Sequence, residues 1–306
     1  MTAVIGDGRA NPARPTAFGP TSLRRRVTDK ATGVGVWVSV AVALAPLGWI
    51  LWTVLAKGLP AVTGSTWFTH SLSGLGATTP GGGVYHAILG TLLQGLVCSA
   101  IAIPAGILVA IYLVEYAGPS RLGRFTTFMV DILAGVPSIV AALFIYALWV
   151  ATFGFQRSGI AVALALVLLM IPMIVRSTEE MLRIVPRDLR EAAYALGVPQ
   201  WKTIGRVVLP TALPGIVTGV MLSVARVLGE TAPLLILVGY APFINLDLFG
   251  GEMGTLPGVI VDQMNNPGAV GADRMWGSSL TLIGMVAILS IVATIIARRS
   301  SVRKGG

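Results

Sequence analysis

Six stretches of this chain are apolar for about the 20 residues that a helix needs to cross the hydrocarbon core of a bilayer. They lie at residues 34–56, 86–114, 125–151, 159–175, 211–239 and 277–297, and they make lipid, not water, the solvent in which the sequence must fold. Only 11% of the residues are charged, against about 25% in ordinary soluble domains. The fold class expected is therefore an all-α membrane protein with six transmembrane helices. Pro104, Pro137 and Pro233 fall inside the second, third and fifth stretches. Each removes a backbone donor, so each span is expected to kink or bend there.

The net charge of +9 is unevenly placed. Residues 1–33 hold Arg24-Arg25-Arg26, the segment after the second span holds Arg121 and Arg124, and the C-terminal end holds Arg298, Arg299, Arg303 and Lys304. The 176–210 segment holds Arg176, Arg183, Arg187, Arg190, Lys202 and Arg206. The alternate connections hold only Lys57, Arg157 and Arg274. The positive-inside rule puts the first set, and both termini, in the cytoplasm. This distribution assigns the basic residues to topology and not to nucleic acid, so lipid is the surrounding partner and no nucleic-acid partner is expected. No short apolar core with a cleavage site precedes the first span, so no cleavable signal peptide is expected.

The expected organisation is a basic cytoplasmic tail (1–33), a first transmembrane helix (34–56) and an outer loop (57–85). A transmembrane core (86–297) carries the cytoplasmic loop 176–210, and a second basic tail (298–306) follows. The outer segment 240–276 is rich in Gly and acidic residues, and a short re-entrant or amphipathic piece is expected near residues 256–264. The Gly81-Gly82-Gly83 run reads best as a flexible loop, with an anion nest as the alternative.

Catalytic chemistry finds little support. The single Cys98 lies in an apolar run, and His70 and His86 are too few and too far apart for a metal centre. No G-x-x-x-x-G-K-[ST] phosphate loop occurs, so no bound cofactor is expected.

The 176–210 loop is not a plain connector. Leu189 to Leu196 is a run of strong helix formers, Gly197 stands where a helix would stop, and Pro199 prevents its continuation. A second helix is expected from Gln200. Glu191-Ala192-Ala193, then Gly197, then Val207-Val208-Leu209-Pro210 resembles the EAA loop of bacterial ABC-importer permeases. The resemblance implies that Glu191, Ala192, Ala193, Gly197, Leu209 and Pro210 couple the chain to a separate ATPase subunit, which uses ATP and Mg. It also implies a type I importer fold working by alternating access.

Charged residues inside spans are costly, at about 2.5–3.5 kcal/mol each on insertion scales, and so mark function or pairing. Arg226 and Glu230 sit four apart, as neighbours on one helical face. Arg176 and Glu179 form a second pair, and Asp131 is either interfacial or the partner of a buried Arg. The runs R-V-L-G-E-T-A-P-L-L from Arg226, I-V-R-S-T-E-E-M-L from Ile174 and L-A-G-V-P-S-I-V from Leu133 resemble the phosphate permease subunits of ABC importers, the PstA type more than the PstC type. The similarity spans roughly residues 84–297. It implies substrate translocation by Arg226, Glu230, Arg176 and Glu179. It also implies a PstC-like second permease, two PstB-like ATPases and an extracytoplasmic phosphate-binding protein, all at the bacterial cytoplasmic membrane. The alternatives are a permease for another oxyanion, such as sulfate or molybdate, and a phosphate-sensing membrane component. Gly215-x-x-x-Gly219 marks a possible close helix contact.

Overall fold

A computed structural model describes residues 23–266 and 268–302, with side chains described through residue 295. Residues 1–22 and 303–306 of the two expected tails lie outside the described residues. Among those described there are helices and no strands. The chain divides into two units, residues 1–52 and 53–306.

Helix α1 runs Leu23–Val62. It starts 11 residues before the expected span, so residues 23–33 are helical and not a loose tail. No Pro or Gly interrupts the sequence from Leu23 to Thr32, and Thr28 and Thr32 return their hydroxyls to the Arg24 and Thr28 carbonyls. In the first unit α1 exposes apolar side chains on all sides, Trp37 and Trp49 among them.

The second unit is built on helix α5, Gly159–Ile184, packed along helix α2, Tyr85–Ile111. Of the most apolar stretch of α5, 61% is buried, against 28% in the next most buried span. Its buried face includes Met170, Ile174 and Leu182. Helix α2 ends in a π-helical turn, Tyr112–Tyr116.

Helix α3, Arg121–Gly135, and helix α4, Ser138–Ile145 with a π-helical extension Tyr146–Thr152, meet at 105°. The sequence suggested one span over 125–151. The structure breaks it, because Pro137 cannot donate and forces Val136 into an extended conformation, φ −72° and ψ 124°. The broken pair still travels the length of α5. It leaves from Glu115, beside the C-terminal end of α5, and delivers the chain to Ser158 at its N-terminal end.

Helix α6, Arg187–Ala195, and helix α7, Gln200–Thr203, form the expected hairpin. A π-helical turn, Ile204–Val208, carries α7 straight into helix α8, Leu209–Leu228. Helix α8 lies back along α5 on Gly215 and Gly219. A Cβ on Gly219 would stand 2.5 Å from Ser177 Oγ, and one on Gly215 would collide with Met181, so the glycines let the two backbones close up.

The expected fifth span, 211–239, is also broken. Helix α8 ends at Leu228 and helix α9 runs Ala232–Leu237. Pro233 clashes with the carbonyl four residues back, which is that of Gly229, and the helix stops there. Helix α10, Leu256–Met264, fills the outer segment where a short helix was expected, and helix α11, Ala269–Val302, completes the chain. Among the described residues, five helices are long and apolar enough to cross a membrane, or six if the bent pair is counted as one span.

The glycine run 81–83 is held and not loose. Arg274, on α11 and 4% exposed, donates to the Thr79 carbonyl at 2.7 Å and the Gly81 carbonyl at 3.1 Å.

Candidate functional site

The charged residues singled out in the sequence fall into three places. The first is the C-terminal half of α5. Arg176 donates to Glu179 at 2.8 Å and also to Asp131 of α3. Glu179, its side chain 7% exposed, takes a second bond from Arg183 at 2.5 Å. The i,i+3 and i,i+4 spacings of helix α5 put Arg176, Glu179 and Arg183 in one row. The question left open for Asp131 is answered: it is a partner of Arg176, reached across the bent α3. The four side chains sum to zero charge, and both carboxylates are engaged. Arg176 is thus already paired with two carboxylates in this conformation.

The second place is the end of α8. Arg226 and Glu230 do not share a continuous helix, because the helix ends at Leu228. Their closest approach, Arg226 Nε to Glu230 Oε1, is 3.8 Å, too long for a hydrogen bond. The pair divides its directions. Glu230, 18% exposed, lines a small cavity with Gln94 of α2 and Leu166 of α5, while the Arg226 side chain stays 67% exposed. No hydrogen bond or ion pair joins this pair to the Arg176 cluster among the described residues. Arg226 lies seven residues beyond Gly219, which faces Ser177. The two arginines are therefore offset by about 10 Å along the helix axis.

The third place is the α6–α7 hairpin. Gly197 has φ +73°, the left-handed conformation that glycine adopts without a Cβ penalty. Its N–H donates to Tyr194 and that of Val198 to Ala193, at 2.9 and 3.1 Å, which closes the end of α6. Ala193 is buried against the bundle, while Glu191 and Ala192 face outward. Glu191 borders an open cleft with Arg183, Arg187, Arg190 and Tyr194. Leu209 and Pro210 form the first turn of α8 and are half-buried. The hairpin also presents apolar residues that the sequence reading passed over: Leu196 is 84% exposed and Trp201 66%. Large apolar side chains displayed on a polar hairpin are a mark of an interaction surface.

Sequence reasoning also missed Glu115. Its side chain is 6% exposed and accepts from Arg190 of α6 at 2.8 Å. The two lie 75 residues apart, so no local spacing revealed the pair. Among the described residues no group of three or more His, Cys, Asp or Glu side chains is placed to hold a metal ion, and Cys98 is buried.

Residues 102–304 match the model of the family described as "Binding-protein-dependent transport system inner membrane component". The chain is 56% identical over 285 residues to "Phosphate transport system permease protein PstA 1" of Mycobacterium tuberculosis (strain CDC 1551 / Oshkosh), covering 93% of each chain. The chain belongs to the PstA family of binding-protein-dependent transport permeases. A PstA of Mycobacterium leprae is 54% identical over 92% of each chain, and one of Pasteurella multocida 39% over 89% of this chain and 95% of that relative. Among solved structures, a chain of a bacterial alginate ABC transporter matches with a TM-score of 0.65 at 13% identity, covering 91% of this chain and 98% of that one. A chain of the inward-facing MetNI methionine ABC transporter matches with a TM-score of 0.56 at 21% identity, covering 71% of this chain and 94% of that one. The PstA-family chain thus has the fold of ABC-importer permeases and is a multi-pass component of the inner membrane.

Proposed function

We propose that this chain forms one half of the translocation pathway of an ATP-driven importer of inorganic phosphate. Its PstA relatives carry phosphate transport in their names, and the arginine at the end of α8 supplies the chemistry. Arg226 carries the proposal: a two-thirds exposed guanidinium at a helix break, held only loosely by Glu230. A guanidinium offers forked donors suited to a tetrahedral oxyanion. Glu230 balances that charge from behind and keeps anion binding weak enough for release. Arg176 and Glu179 lie farther along the path, where Asp131 and Arg183 hold them closed in this conformation.

The α6–α7 hairpin lies in the cytoplasm, as do both termini. Glu191, Ala192 and Gly197, with Leu196 and Trp201 beside them, dock on a separate ATPase subunit that binds ATP and Mg. The working assembly is this chain with a PstC-like permease, two PstB-like ATPases and an extracytoplasmic phosphate-binding protein. Closure of the ATPases drives alternating access.

The test is phosphate uptake by Arg226→Gln in proteoliposomes holding the complete complex, with assembly checked by co-purification. Losing one charge-assisted contact to the anion predicts a fall of about tenfold or more. Wild-type uptake by the assembled variant would remove Arg226 from the pathway.

A further inference from the structure

We propose that Glu115 and Arg190 form the joint through which the α6–α7 hairpin moves the bundle. The inference rests on the coupling role proposed above for that hairpin, and it names the residues that transmit the motion.

A hairpin that merely touches the bundle would slide when pulled. This one is fastened at both limbs to the same residue. On the first limb, Arg190 Nη2 donates to Glu115 Oε1 at 2.8 Å, and Arg190 Nε lies 3.3 Å from the same oxygen. On the second limb, Gln200 Nε2 donates to the backbone carbonyl of Glu115 at 2.7 Å. The π-helical turn Tyr112–Tyr116 widens the end of α2 so that side chain and carbonyl of one residue meet both limbs.

Arg190 reaches further. Its Nη1 donates to the Val185 carbonyl at 2.7 Å and its Nη2 to the Leu182 carbonyl at 2.9 Å, at the end of α5. One planar guanidinium therefore ties α6 to the ends of both α2 and α5, the two helices that form the centre of the unit. A lysine could not satisfy these acceptors together, because its single ammonium lacks the rigid fork. The pair is largely buried, its side chains 15% and 6% exposed, although it borders the open cleft beside Glu191.

The Arg176 cluster is built differently. Asp131 is 59% exposed and bonds α5 through Arg176 alone, a contact suited to opening during the cycle. The Glu115–Arg190 joint is suited to staying shut.

The experiment measures phosphate uptake and ATP hydrolysis together in proteoliposomes holding the complete complex with its binding protein. The variants are Glu115→Gln, Arg190→Lys and Gln200→Leu. The expected result is that phosphate moved per ATP hydrolysed falls about tenfold in the first two and less in the third, within the usual range of coupling strengths. A purely structural role would lower the amount of active complex and both rates in proportion, leaving that ratio at its wild-type value. An unchanged ratio in all three variants overturns the joint. Should Glu115→Gln and Arg190→Lys fail to assemble, Gln200→Leu decides the matter, since it removes a single hydrogen bond and leaves the ion pair in place. Absence of phosphate uptake by the wild-type complex would count against the proposed cargo and not against the joint, because the wild-type ratio for whatever anion moves remains the reference.

Discussion

Arg176 and Arg226 look alike in the sequence, each an arginine in an apolar run with a glutamate three or four residues on. Their surroundings differ. Arg176 meets two carboxylates, while Arg226 meets one at 3.8 Å and stays exposed. An arginine already paired twice has little left to offer an anion, so of the two Arg226 is the better suited to the phosphate contact proposed above. The carboxylates around Arg176 are unequal as well. Glu179 is 7% exposed and accepts from two arginines, whereas Asp131 is 59% exposed and accepts from one. Removing Glu179 takes away both of its bonds from arginine and empties a buried site, whereas an exposed pair such as that of Asp131 is worth about 0–1 kcal/mol. Glu179→Ala is therefore expected to lower the thermal unfolding midpoint in detergent several times more than Asp131→Ala. Equal shifts would mean that the cluster is wet and that Glu179 is not its keystone. The pairing of Arg176 with Glu179 was legible from spacing alone. The role of Asp131 was not, because it depends on how the chain turns at Pro137, 39 residues before Arg176.

At the scale of the element, the sequence spoke most clearly where backbone chemistry is local. The α6–α7 hairpin follows from helix formers up to Leu196, a glycine at 197 and a proline at 199, and each of these acts within a few residues. The left-handed φ of +73° at Gly197 is what that reading required. Apolar runs, by contrast, report burial in lipid and are blind to where a helix breaks inside it. The stretches 125–151 and 211–239 read as continuous, yet one bends by 105° and the other stops at Leu228. The prolines were visible in both. The size of the turn depends on which neighbours take up the freed carbonyls, and that is a tertiary matter. The hairpin supports a direct test. A β-branched residue at φ +73° is strained by about 1–2 kcal/mol, and the turn must open to relieve it. Gly197→Val is expected to fold in the membrane but to lose most of its ATPase subunit during co-purification. Full retention of the ATPase would show that the turn at Gly197 does not shape the docking surface.

For the second unit as a whole, α5 acts as the ruler. Its 26 residues span about 39 Å, more than the roughly 30 Å of a hydrocarbon core. Its N-terminal end is tied to the outer segment, where Ile160 N–H donates to the Leu248 carbonyl and Ser158 N–H to the Leu237 carbonyl, both at 2.8 Å. Its C-terminal end is tied through Arg190 to the hairpin. On the proposed topology Phe249 and Leu196 belong to opposite faces of the bilayer, with the arginine-rich hairpin in the cytoplasm. Cys98 is fully buried, so the native chain offers a silent background for thiol labelling. A cysteine placed at Phe249, 68% exposed, is expected to react with an impermeant maleimide added outside intact cells. A cysteine at Leu196, 84% exposed, is expected to react only in inside-out vesicles, and to be shielded when the ATPase is bound. Labelling of both from the same side would break the link between the ATPase face and the cargo entrance, since the two ends of α5 would no longer lie across the membrane from each other.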